Sequence, residues 1–165
     1  MTKDLENKIK RAKELLATSR HISLATVNED GSPHNSPVRF VYDPKLEYLY
    51  WASNPESLHS KNITRTGKIF AALYDRLERG GLYIESENVR ELRGKELEEA
   101  LNIFNVFRIK GKEELLEFGF FTDSSPQRMW GAKIGKFWVN YAEKDANGHS
   151  IKDGRMEITA KDIIN

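Results

Sequence analysis

Residues 21–52 read "HISLATVNEDGSPHNSPVRFVYDPKLEYLYWA", three short apolar runs parted by two turn signals. In the first run Ile22, Leu24 and Thr26 alternate with Ser23, Ala25 and Val27, the period-two pattern of a half-buried strand. It closes at "NEDGSP", where Asn, Asp, Gly and Pro favour a tight reversal. The second run, 35–43, places Val38, Phe40 and Tyr42 on one side and Arg39 and Val41 on the other. Asp43-Pro44-Lys45 turns the chain into a third strand over 46–52. Three strands joined by two tight turns predict an antiparallel meander.

The same pattern continues on both sides. Leu5, Ile9, Ala12, Leu15 and Leu16 recur at spacings of three and four, which predicts an amphipathic helix over 3–19. "KIFAALYD" (68–75), "GLYIESENV" (81–89) and "GKFWVNY" (135–141) read as further strands. Between Gly94 and Phe118, Leu97, Ala100, Leu101, Phe104 and Phe107 give a helix, and "KEELLEF" a second short one. Asn147-Gly148 and Asp153-Gly154 are hairpin-turn dipeptides. Short strands with tight turns favour a sheet closed on itself, because closure removes exposed edges. The expected fold is mainly β, a small antiparallel barrel with peripheral helices in a single domain over 1–165; an open antiparallel α+β sheet is the alternative.

Composition narrows the functional classes. With Lys+Arg 26 against Asp+Glu 25 the formal charge is +1, so no global field favours nucleic acid or an anionic membrane. Cysteine is absent, which removes disulfides, thiolate metal sites and cysteine nucleophiles. His21, His34, His59 and His149 show no pairing at ligand spacing, so no metal site is expected. No apolar run approaches a membrane span and the first residues lack a signal-peptide core, so a cytoplasmic location is the expectation. "GAKIGK" (131–136) is one residue short of a phosphate loop and is followed by Phe137 instead of Ser or Thr.

The remaining candidate is "SNPESLHSKNI" (53–63). Ser53 with Glu56 forms a capping box, and Asn54 with Pro55 is an equally good helix start. Ser57, Ser60 and Lys61 fall on one helical face, with His59 and Asn62 on the adjacent stripe. Two hydroxyls and an ammonium near a helix N-terminus suit a phosphate monoester, whereas a solvated polar face is the plain alternative.

Taken in order, "PVRFVYD" (37–43), "LEYLYWASNPES" (46–57), the Ser-, His- and Lys-bearing helix and "KIFAALYD" resemble the pyridoxamine 5'-phosphate oxidase-like family of FMN-binding split barrels. The resemblance spans residues 18–90, and more loosely "AKIGKFWVN" (132–140). It implies a six-stranded split barrel, a homodimer and FMN at the interface. It implies further that Arg39 and Val41 match an Arg-x-Val segment meeting the cofactor, and that Trp51, Ala52 and Ser53 lie beside the flavin. The family's Ser-Arg-Lys triplet for the FMN phosphate is matched by Ser57 and Lys61, set further apart, with His59, Ser60 and Ser57 as candidates for the missing arginine's place. Arg39 and Lys61 are expected to converge on the phosphate. Trp51 is either barrel packing or a flavin wall, and Trp130 in "QRMWGAKIG" either a core or dimer contact or a cover for the partner's flavin.

The implied activity is flavin-dependent oxidoreduction of an unidentified small molecule. The alternative is a module that holds FMN, haem or a deazaflavin without catalysis. The tail "GHSIKDGRMEITAKDIIN" does not match the family's substrate-gripping segment, so pyridoxamine phosphate is not the expected substrate.

Overall fold

Alternating apolar residues build the first five strands near where the spacing predicts them, and a closed barrel results once a longer sixth strand pairs with the third; a seventh strand was not expected. The computed structural model describes residues 3–74, 80–122 and 124–165, apart from the side chain of Lys144. Helix α1 (Lys3–Thr18) leads into β1 (His21–Val27), β2 (Pro33–Tyr42), β3 (Tyr48–Ser53), helix α2 (Leu58–Thr66), β4 (Lys68–Leu73) and β5 (Leu82–Glu91). Helix α3 (Gly94–Lys110), β6 (Arg128–Lys144), β7 (Ser150–Ile158) and α4 (Ala160–Ile164) complete the chain. The last residue of the expected 68–75 strand lies outside the described residues.

The sheet order is β3-β2-β1-β4-β5-β6-β7, and an additional β3–β6 pairing joins the first strand in that order to the sixth. Six antiparallel strands therefore form a closed barrel, which rules out the open sheet. Strand β6 makes this possible through its length of 17 residues: its first part, from Trp130 to Lys133 and on to Arg128, pairs with β3, and its later part pairs with β7. The expected strand "GKFWVNY" (135–141) covers only the middle of β6, since Gly131 interrupts the apolar pattern before it. Gly131 sits where a Cβ would fall 2.9 Å from both methyl carbons of Leu92, so a larger residue would have to push that side chain aside.

Side chains divide between two cores. Leu24, Phe40, Leu49, Trp51, Ile84 and Trp130 fill the barrel, joined by Ile9, Ala12, Leu15 and Leu16 of α1. On the outer face Val41, Tyr50 and Met129 pack with Leu97, Ala100, Leu101 and Phe104 of α3. Neighbouring residues thus point to opposite faces, Phe40 inward and Val41 outward.

Two expected elements differ. The second helix at 112–118 is absent: Lys112 has a left-handed φ of 55°, and Asn105 binds both the N–H and the carbonyl of Leu116, which holds that backbone off a helical path. A single 3-10 turn, Phe118–Phe121, follows instead. Asp153-Gly154 makes no turn; both residues lie within β7, opposite Ala142 and Tyr141. Helix α4 was missed, although its Thr159/Asp162 capping box is readable in the sequence. Among the described residues no helix is long and apolar enough to cross a membrane.

Candidate functional site

The polar cluster forms where β3 ends and the chain turns into α2. Asn54 organises that turn: its side-chain oxygen accepts the Glu56 N–H at 2.8 Å and its carbonyl accepts the Ser57 N–H at 3.1 Å. Pro55, with its fixed φ, sits at the second position of the turn. The helix accordingly begins at Leu58, not at Ser53 or Asn54, and the expected capping box does not form. Ser57 is the N-cap residue, yet its side chain makes no capping bond. The first-turn N–H groups of α2 therefore lack the acceptor that a capping serine normally supplies.

The Ser57 hydroxyl is drawn into a side-chain network instead. Its Oγ lies 2.8 Å from the Asn54 carbonyl oxygen, 2.9 Å from Ser60 Oγ and 3.1 Å from His59 Nε2. Ser53 Oγ lies 2.6 Å from the same imidazole nitrogen. A hydroxyl owns one proton, so Ser57 donates to one of these acceptors at a time and the cluster has several proton arrangements. Burial, and secondarily the charge of His34, holds His59 below its ordinary pKa. The imidazole is thus neutral near pH 7, with Ser53 and Ser57 at Nε2.

Lys61 stands in the second turn of α2, where its Nζ pairs with Glu56 at 3.0 Å; both side chains are more than half exposed. An exposed pair of this kind contributes little and parts readily for a stronger anion. Asn62 is not in the cluster. Its buried amide donates to Thr26 Oγ1 at 3.0 Å and Asn28 Oδ1 at 2.8 Å, fastening α2 to β1 and its turn.

Among the strand residues the two tryptophans take the packing alternative, and Arg39 departs from expectation. Trp51 is sealed inside the barrel, so it is packing and presents no ring to a ligand. Trp130 is buried beside it, and its Nε1 donates to the Ser53 carbonyl at 3.3 Å, which fixes the end of β3 under the cluster. Val41 is buried and Ala52 half-buried, both against the α3-covered outer core. Arg39 does not meet Lys61. Glu113, beyond the end of α3, accepts two hydrogen bonds from the Arg39 guanidinium at 2.6 and 2.5 Å. These bonds hold the Glu113 carboxyl below the usual carboxylate range. Sequence reasoning missed Glu113 because 74 residues separate it from its partner and no motif links them.

The cluster, its turn and the barrel that carries them coincide with a family match over residues 9–121, to the family described as pyridoxamine 5'-phosphate oxidase. The chain belongs to this family. Solved structures share its fold over three quarters of the chain or more. An F420 reductase is 17% identical, with 76% of this chain and 94% of that one covered at a TM-score of 0.54. HutZ, the haem storage protein from Vibrio cholerae, is 16% identical over 77% of this chain and 90% of its own, with a TM-score of 0.58. A haem-binding protein from Mycobacterium smegmatis is 14% identical over 95% of this chain but 60% of its own, with a TM-score of 0.62. At these identities the likeness is one of fold. No curated relative matches the chain.

Proposed function

We propose that this protein is an FMN-binding homodimer of the pyridoxamine 5'-phosphate oxidase family and acts as a flavin-dependent oxidoreductase on a small molecule. The observation that carries the reading is the uncapped start of α2, where Ser53, Ser57, Ser60 and His59 converge and Lys61 stands within reach of a displaceable partner. This donor set fits a phosphate monoester. Free backbone N–H groups, hydroxyls and one ammonium match its oxygens and charge. His59 would take the place of the family's arginine, neutral before binding and a better cation once a dianion lies beside it. Arg39, held by Glu113, is left out of this clamp.

FMN supplies the hydride and electron chemistry when bound. The chain binds the phosphate and holds its orientation through a turn set by Asn54 and an anchor set by Asn62. Trp51 and Trp130 provide no ring wall, so we assign the covering surface of the isoalloxazine to a second subunit. The haem-binding neighbours support one further reading, a module that stores or senses a flat ligand. A visible spectrum and mass of the copurified ligand separate the two: flavin absorption with the mass of FMN supports the first, a Soret band the second.

A further inference from the structure

We propose that the phosphate clamp is proton-linked: His59 takes a proton from solvent as a phosphate monoester binds and returns it on release, so the flavin is held more tightly at neutral than at alkaline pH. The inference rests on the reading of the start of α2 as that clamp. The His59 ring is half-buried, and its Nε2 lies 2.6 Å from Ser53 Oγ and 3.1 Å from Ser57 Oγ. In a neutral ring Nε2 carries one lone pair or one proton, so it satisfies one of these hydroxyls at a time. Among the described residues no carboxylate bonds to the ring, and burial favours its uncharged form. The protein alone therefore keeps the ring neutral until an anion arrives.

The charges around it point the same way. His34 of β2 acts on His59 through its charge and opposes a second positive ring. Lys61 and Glu56, on α2 and its entry turn, pair with each other at 3.0 Å. Arg65 turns away to the Val27 carbonyl of β1. Arg128 of β6, opposite Ser53 in the register, donates to the carbonyls of Thr122, Ser125 and Gln127. Strand β5 meets the far end of α2, where the Val89 N–H donates to Gly67, and its Glu87 pairs with Lys68 at 3.1 Å. A dianion at the uncapped N-terminus thus meets one ammonium, itself shared with Glu56, and lacks a second positive charge that His59 is placed to supply. An anion within hydrogen-bond reach raises the proton affinity of an imidazole roughly ten- to thousandfold. Once charged, Nε2 donates, and the serine protons are free to turn to the phosphate oxygens.

Calorimetry of FMN binding at about pH 7.5, in HEPES and in Tris, counts the protons exchanged, because the two buffers differ in protonation enthalpy. The flavin phosphate is already a dianion there, since a monoester loses its second proton at about pH 6. The expected result is uptake of roughly one proton per FMN, none with riboflavin and almost none with FMN in His59→Gln. From about pH 7 to about pH 8.5 FMN affinity should fall roughly fivefold or more in the parent and less than about twofold in His59→Gln. His59→Arg, charged throughout, should bind FMN with no proton uptake and no such fall. FMN bound more tightly than riboflavin but without proton uptake, or with the same uptake in His59→Gln, would overturn the proton link and leave the clamp standing. FMN bound no more tightly than riboflavin would overturn both.

Discussion

Ser57 shows how one residue can be read correctly by type and wrongly by place. Its spacing to Ser60 and Lys61 is visible in the sequence, but the helix start is not, because two capping registers compete and the Asn54-centred turn defeats both. Lys61→Ala should weaken FMN binding roughly five- to tenfold, about 1–1.4 kcal/mol, since an exposed ammonium is partly screened; fluorescence titration measures it. His59 gives a pH signature. Burial keeps it neutral when folded, so on acidification the unfolded chain takes up its proton first and stability falls from about pH 6.5 downward, levelling once the folded imidazole also titrates. Urea midpoints measured across this range should show a shallower slope in His59→Gln than in the parent. Glu113 was illegible for a different reason: only the fold brings it to Arg39.

At the level of elements, the meander from β1 to β3 was legible because alternation and turn residues agree, and β1 falls at His21–Val27 as its spacing predicts. The segment after α3 was not, because "KEELLEF" has helical composition while Asn105 and Lys112 impose another path. Helix α2 depends on Asn62 for its seat. Asn62→Ala removes both side-chain hydrogen bonds, one buried and one part-buried, and should cost about 1–3 kcal/mol in chemical denaturation. Removing the Asn62 amide affects the seat of α2 before its donor set, so the loss should show chiefly in stability. Gly131→Ala drives a Cβ against Leu92 across β6 and should destabilise by about 1–3 kcal/mol, read as a lowered melting temperature. A Gly131→Ala protein as stable as the parent would show that Leu92 can give way.

For the molecule as a whole, barrel closure places the donor cluster at the mouth of a rigid scaffold. Trp130 under Ser53 and Asn62 against β1 are the struts. Closure was foreseeable in kind, since an exposed sheet edge is unfavourable, but the β3–β6 seam depends on a 17-residue strand whose two glycines disguise it in the sequence. If the ring is covered by a second subunit, light scattering of the FMN-loaded protein should give the mass of two 19.0 kDa chains, and a flavin-loaded monomer would remove that part of the proposal. The central claim, that the start of α2 is a phosphate clamp, is tested most directly by comparing FMN with riboflavin by calorimetry. The account predicts FMN tighter by at least about 100-fold, the worth of roughly two charge-assisted hydrogen bonds. Equal affinities for the two flavins would contradict it.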